Sequence, residues 1–364
     1  MMTLEVQGLS KRFGEIQVLD DVSLGVDDGE FFVILGPTNA GKSTLLKTIA
    51  GLHQPEDGSI AIKGRNMRGV LPKDRGVSLL FQNIALFPTM TGFDNIAFPL
   101  RAAGVNEAKV DRRVREVAAL LKIDHILDRH PRTYSGGEQQ RAAIGRSIAH
   151  PANLLMLDEP LSNLDARIRI LLRLEFKRLH KEQRQSVIYV THDQSEAMSL
   201  STRVGVLVDG RFQQIGTPDE IYQRPRNRFL AEFIGLPPMN ILECEMEGGA
   251  GESPMLIGPG FRVDATGIGE LAELQRLPKQ IALGVRPEEI RVSGAFSAET
   301  PHAAEVTWVE HLGARRVLDL RLGGRLIKAT VPRDRAIAVN HAAWIGFTAK
   351  PFRLLNQATG EFFR

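Results

Sequence analysis

The chain has 364 residues, 43% hydrophobic and 24% charged, with a formal charge of +3 and one cysteine. That composition excludes a fibrous or disordered polymer, the lone Cys244 excludes an internal disulfide framework, and the length allows two cores. No apolar run approaches the ~18 residues of a membrane-spanning helix, and no basic-then-apolar leader opens the chain, so the cytosol is the expected compartment.

Up to about Gly235, apolar strand-length runs alternate with helical patterns, the texture of an α/β layer fold. Phe31–Leu35 is continuously apolar and stops at Gly36-Pro37; Leu154–Leu157 and Val187–Val190 repeat the pattern. Runs apolar on both faces suit strands of a mainly parallel sheet. Glu107–Leu121 puts Val110, Val114, Val117, Ala118 and Leu121 on one helical face, and Ile168, Leu172, Phe176 and Leu179 do the same after Asp165. Beyond Leu236-Pro237-Pro238 the glycines cluster (Gly248, Gly249, Gly251, Gly258, Gly260) and long helical periods end. Leu318, Leu320 and Leu322 then alternate with polar residues, turn at Gly323-Gly324 and resume at Leu326-Ile327, a hairpin. The expected division is 1–235, with a helical subdomain at about 88–150, followed by a small all-β domain over 236–364. Trp308 and Trp344 are expected in its core, and no aromatic-and-basic platform for nucleic acid is visible there.

Gly36-Pro37-Thr38-Asn39-Ala40-Gly41-Lys42-Ser43-Thr44 fits the phosphate-loop pattern G-x-x-x-x-G-K-[ST] between the Phe31–Leu35 strand and the helix-like 43–50. Its N–H groups and the helix N-terminus suit a polyphosphate. Lys42 is expected on the β/γ oxygens of ATP and the Ser43 hydroxyl on Mg²⁺. Asn39 stands where such loops often carry glycine, and asparagine tolerates the left-handed backbone better than other non-glycine residues.

Leu154–Leu157 runs into Asp158-Glu159: a carboxylate at the strand's end for the Mg²⁺ shell, then one placed to polarise water as general base. Tyr134-Ser135-Gly136-Gly137-Glu138 gives a second glycine-bared helix mouth with Ser135 as N-cap. It has no phosphate of its own, which is economically explained if it closes over nucleotide held by another copy.

Tyr134–Arg141 resembles the L-S-G-G-Q signature of ATP-binding-cassette proteins, and the other motifs stand in that family's order. The resemblance implies an ABC-type nucleotide-binding domain. It makes Gln82 the loop glutamine at Mg²⁺ or water, Asp165 in Ser162–Asp165 a contact to the opposite subunit, His192 the γ-phosphate switch and Phe13 the adenine-stacking ring. Two departures are visible. Tyr134 replaces leucine, expected to be mild. Glu138 replaces glutamine, putting a carboxylate near the facing nucleotide, although a helix-start glutamate favoured by the dipole is the simpler reading.

Phe81–Thr91, Ile221–Pro225 and Gly284–Glu288 are similar to stretches of carbohydrate-importer ATPases of the maltose and glycerol-phosphate type. This implies a second ATPase subunit, two transmembrane permease subunits, an extracytoplasmic solute-binding protein acting indirectly, and a C-terminal oligonucleotide-fold-like regulatory domain. An importer of an inorganic anion or polyamine stays open, as does a soluble non-transport ABC ATPase. Ile84, Leu86, Phe87, Phe93 and Phe98 fall where such proteins receive a short helix of the permease; burial within the helical subdomain is expected for about half of them.

Overall fold

The computed structural model describes residues 2–248, 253–266, 278, 280–335, 337–348 and 353–363. The chain divides into two compact units, Met1–Pro218 and Asp219–Arg364.

The first unit runs β1 (Met2–Phe13), β2 (Ile16–Asp27), β3 (Phe31–Leu35), α1 (Lys42–Ile49), β4 (Asp57–Ile62), β5 (Arg65–Asn66), β6 (Val77–Leu80), α2 (Gly92–Ala102), α3 (Glu107–Leu121) and α4 (Gly136–Ala149). It continues with β7 (Leu154–Asp158), α5 (Ala166–Gln183), β8 (Val187–Thr191), α6 (Gln194–Leu200), β9 (Arg203–Val208) and β10 (Arg211–Gly216). One sheet has the order β10-β9-β3-β8-β7-β6. β3 pairs in parallel with β8 and β9, β7 with β6 and β8, and β10 adds an antiparallel edge. The three apolar runs of the sequence are its β3, β7 and β8, all fully buried, as strands covered on both faces must be.

A second, antiparallel sheet of order β2-β1-β4-β5 has no counterpart in the expected pattern. Its apolar alternation is broken by register shifts at four places between β1 and β2, each of which flips the parity of the next side chain. Leu4, Val6, Leu9, Leu19 and Ile60 nonetheless share one core with Phe32, Ile34, Leu45 and Ile188. α3 buries Val110, Val114, Val117, Ala118 and Leu121, the face that the periodicity names. In α5, Leu172 and Phe176 are buried and Ile168 is half-buried; the side chain of Leu179 lies outside the described residues.

The second unit carries α7 (Pro218–Gln223, whose first residue closes the first unit), α8 (Arg228–Phe233), β11 (Asn240–Glu247), β12 (Met255–Gly258), β13 (Phe261–Asp264), β14 (Gln280–Val285), β15 (Ile290–Ser293), β16 (His302–Leu312), β17 (Arg315–Leu322), β18 (Arg325–Pro332), β19 (Ala342–Phe347) and β20 (Arg353–Asn356). They form two five-stranded sheets, β13-β12-β11-β14-β20 and β15-β19-β16-β17-β18, around one core. β17 and β18 are the hairpin read at Gly323-Gly324. Gly249 and Gly251 of the glycine cluster lie outside the described residues.

Arg286 and Arg353 hold the helices between 219 and 235 within the second unit. Arg286, fully buried, donates to the carbonyls of Tyr222 (2.5 Å), Ala231 (3.3 Å) and Ile234. Arg353 donates to the Gln223 carbonyl (2.5 Å) and pairs with Glu289 (3.0 Å).

The expectation for Trp308 is corrected. Its side chain is 63% exposed, because a register shift between Val306 and Trp308 turns the strand's alternation outward. Trp344 is half-buried, edge-on to Phe296 at 5.1 Å.

Candidate nucleotide site

The loop Gly36–Thr44 sits between β3 and α1. Two glycines are required by space: a Cβ on Gly36 would stand 2.1 Å from the Leu207 carbonyl oxygen, and one on Gly41 2.7 Å from that of Val18. Gly41, the N-cap of α1, is left-handed at φ 97° and offers no side chain to the helix mouth, so the first amides stay free for an anion. Asn39 adopts φ 66°, the conformation expected of it.

Pro37, Thr38 and Ala40 complete the turn, and Ala40 N–H closes it onto the Pro37 carbonyl at 3.3 Å. Thr44 accepts from the Thr48 hydroxyl at 2.8 Å through its carbonyl. The buried Lys42 ammonium folds across the loop and donates to the carbonyls of Gly36 (2.9 Å) and Pro37 (2.7 Å). Burial lowers its pKa, opposed by the charges of Glu159 and Asp158.

Ser43 Oγ donates to Asp158 Oδ1 at 3.0 Å, joining the loop to the end of β7. Burial raises the Asp158 pKa, the Ser43 hydrogen bond opposes this, and Glu159 adds to it. An octahedral, oxygen-loving cation suits this hydroxyl–carboxylate pair. Among the described residues there is no cluster of three His, Cys, Asp or Glu able to hold a metal. Mg²⁺ needs none, since it usually takes one or two protein oxygens beside waters and phosphate.

Glu159 follows with φ 47°, in the left-handed region that a glutamate seldom adopts. Backbone bonds hold it there: its N–H donates to the Val190 carbonyl at 3.0 Å, and the Ser162 hydroxyl donates to its carbonyl at 3.0 Å. The side chain meets two of the residues named with it. Gln82 Nε2 donates to Oε2 at 3.4 Å, and His192 Nδ1 lies 3.1 Å from Oε1. Phosphate loop, Asp158, Glu159, Gln82 and His192 are thus linked by direct contacts.

The other expected residues stand apart from that cluster. Phe13, at the end of β1, is 45% exposed, with its ring edge-on to His53 at 5.2 Å and Lys11 over it at 5.2 Å. Asp165 caps α5, accepting from the N–H groups of Arg167 and Ile168, both at 3.0 Å. Gly136 and Gly137 open α4 with no neighbour crowding Gly136. Tyr134 is buried and donates its hydroxyl to the carbonyls of Ile126 (3.0 Å) and Arg129 (2.7 Å), which knits the turn preceding α4.

Ser135 and Glu138 form a capping box. Glu138 Oε2 accepts from the Ser135 N–H (2.7 Å) and hydroxyl (2.8 Å), and its Oε1 lies 2.8 Å from His125 Nε2. The Ser135 amide, then His125 and the Ser135 hydroxyl, hold the Glu138 pKa down at about 2, from an ordinary 4.5. A carboxyl so lowered stabilises the fold above its unfolded pKa and loses that contribution as pH falls from 4.5 towards about 2. Glu138→Gln should therefore melt below the parent chain at pH 7, with the gap narrowed at pH 3 and closed only near pH 2; thermal melts at pH 7 and pH 3 check the narrowing.

Three positioning residues escaped the sequence reading. Gln140, fully buried in α4, donates to the Pro160 carbonyl at 2.8 Å and so ties the signature helix to the loop after Glu159. Arg169 donates to the Leu164 carbonyl at 3.1 Å and reaches Asp193 at 3.9 Å. Glu196 is buried and accepts from the hydroxyls of Tyr189 (2.9 Å) and Thr191 (2.8 Å), just before His192. An S-x-x-E signal announced the capping box, whereas nothing local announces a partner reached across the fold.

The expectation that about half of Ile84, Leu86, Phe87, Phe93 and Phe98 would be buried is also corrected: none is fully buried, and Phe87 and Phe98 are exposed with rings 4.8 Å apart.

Comparison with known proteins completes the site. Residues 19–162 match the ABC transporter family and residues 283–355 the TOBE domain. Over 366 residues the chain is 40% identical to the trehalose/maltose import ATP-binding protein MalK of Thermococcus litoralis, covering 96% of each. This chain belongs to the ABC transporter ATP-binding proteins. Such an ABC ATPase also resembles the sn-glycerol-3-phosphate import ATP-binding protein UgpC of Salmonella paratyphi A, at 38% identity over 99% of each chain. The UgpC of Cupriavidus metallidurans is 41% identical over 99% of this chain and 98% of its own. In structure, the ABC cassette matches MJ0796, an ATP-binding cassette solved as a dimer bound to ADP and Pi, at TM-score 0.56 and 27% identity. That match covers 59% of this chain and 98% of the other.

Proposed function

We propose that the chain is the ATPase subunit of an importer for a carbohydrate or related solute, working as a nucleotide-sandwich dimer beneath two permease subunits at the cytoplasmic face of the membrane. The observation that carries this reading is the contact of Glu159 with both Gln82 and His192, one residue beyond a carboxylate bonded to the phosphate loop. The relatives named for trehalose/maltose and glycerol-3-phosphate support the carbohydrate class over an inorganic anion or polyamine. Among the described residues no helix is long and apolar enough to cross a membrane, so transport needs other subunits.

The residues divide the work. The exposed Phe13 ring stacks on adenine, and the amides of 36–44 with Lys42 take the phosphates, Lys42 exchanging its two loop carbonyls for phosphate oxygens. Ser43, Asp158 and Gln82 would hold Mg²⁺, which supplies neutralisation of phosphate charge. Glu159 accepts a proton from water, while His192 and Gln82 orient that water in line with the γ-phosphorus. Ser135, Gly136 and Gly137 of the facing copy complete the cradle, with Asp165 near the seam. ATP favours the closed pair because only the closed pair offers it both halves, the differential affinity that a two-state switch requires. The exposed Phe87–Phe98 pair supports a permease helix docking beside Gln82.

Purifying the chain with its permease subunits and binding protein tests the assignment. Carbohydrates presented with the binding protein should stimulate ATP hydrolysis. Stimulation by an oxyanion or polyamine, with none by any carbohydrate, overturns it.

A further inference from the structure

The signature turn of this chain carries a negative charge where the L-S-G-G-Q pattern it resembles is neutral, and that charge is bonded within the turn itself. Ser135 supplies the hydroxyl expected to meet a partner's triphosphate, yet the hydroxyl donates its one proton inward, to Glu138 Oε2 at 2.8 Å. The same oxygen takes the Ser135 N–H at 2.7 Å. Two of the donors that a phosphate would use are thus already committed to a carboxylate of the same chain. The carboxylate also cancels part of the positive end of the α4 dipole, which would otherwise favour an anion. Its other oxygen is held by a half-exposed imidazole, His125 Nε2 at 2.8 Å, arriving from the 3-10 turn Asp124–Ile126.

We propose that Glu138 and His125 are positioning residues that gate closure: the partner's triphosphate takes the Ser135 hydroxyl from Glu138, and His125 takes up a proton to pair the carboxylate so released. This rests on the sandwich reading given above. No bond between heavy atoms changes. One O–H hydrogen bond moves from carboxylate to phosphate oxygen, and one proton passes from solvent to an imidazole. Without that proton, carboxylate and triphosphate face each other as like charges in a space that closure dries, where Coulomb repulsion strengthens. The other titratable groups electrostatically coupled at this turn are Tyr134, whose phenol feels both Arg129 and Glu138, and Arg129, which lies 5.9 Å from the Tyr134 ring. Arg129 already donates to the Thr133 carbonyl, at 2.5 Å.

The test uses the full chain carrying Glu159→Gln, so that ATP binding is followed without turnover. ATP-driven dimerisation is measured between pH 6 and 8.5, and calorimetry in two buffers of different ionisation enthalpy counts the protons. The expected result is net proton uptake and dimerisation that weakens as pH rises. Adding Glu138→Gln should abolish most of that uptake and at pH 8 lower the ATP concentration for half-dimerisation by about tenfold, since the amide keeps the cap without the charge. Adding His125→Gln should leave the dimer weak at every pH and likewise remove the uptake. Equal proton uptake and equal pH dependence with and without Glu138→Gln overturn the gate. Absence of any ATP-driven dimer in all variants, each shown to bind ATP, overturns the sandwich reading instead.

Discussion

Glu159→Gln is expected to bind ATP as the parent does, to lose turnover by at least about 100-fold, the usual contribution of a general base, and to accumulate as an ATP-bound dimer. The substitution is nearly isosteric. The left-handed backbone at φ 47° is held by main-chain bonds to Val190 and by the Ser162 hydroxyl, none of which needs the carboxylate. The amide oxygen can still accept from Gln82 or His192, so the cluster keeps its shape while losing its base. Size-exclusion chromatography with ATP, beside a turnover assay, reads both halves of the expectation. Parent-like turnover would remove Glu159 from the mechanism.

The second large effect lies in the other unit. Arg286 is fully buried, its guanidinium stands 4.0 Å from the Tyr222 ring centroid, and it donates to three carbonyls of the α7–α8 region. Arg286→Met fills similar volume but takes that donor from the Tyr222 and Ile234 carbonyls, at about 1–3 kcal/mol each before relaxation, while Ala231 keeps the Met239 N–H at 3.2 Å. Removing a buried charge returns part of that, and a net loss of about 3–5 kcal/mol is expected. A domain of ordinary stability has only ~5–15 kcal/mol in total. The second unit should therefore melt well below the first, seen as a split calorimetric transition, with ATP binding by the first unit kept. Arg286→Lys, a single point donor, should recover only part of the loss. A single parent-like transition for Arg286→Met would show that the three bonds contribute little.

The parts of this molecule legible in its sequence are those fixed by local rules. A phosphate loop needs glycine where backbone passes within 3 Å of a Cβ position, and Gly36 and Gly41 stand at such places. Strands buried on both faces announce themselves as unbroken apolar runs, so β3, β7 and β8 were readable while β1 and β2 were not. The same bulging that hides β1 misplaces Trp308, because one extra residue reverses the parity on which an inside-or-outside reading depends. Arg286 recruits helices some fifty to sixty residues upstream into the second unit, and no local pattern encodes that. In the site, Ser135 as a cap was visible from its residue type ahead of the Gly136-Gly137 helix mouth. His125, which completes that arrangement, comes from the preceding turn and carries no motif.

The claim on which the rest depends is that the hydrolytic centre is shared, with Lys42 and Ser43 on one copy and Ser135 and Gly137 on another. Its most direct measurement is the specific ATPase activity of the isolated chain across a range of protein concentrations, with sedimentation of the same samples in ATP. The account expects activity per chain to fall in step with the dimer on dilution and to vanish where only monomer remains. Constant activity per chain down to concentrations where only monomer sediments would contradict it.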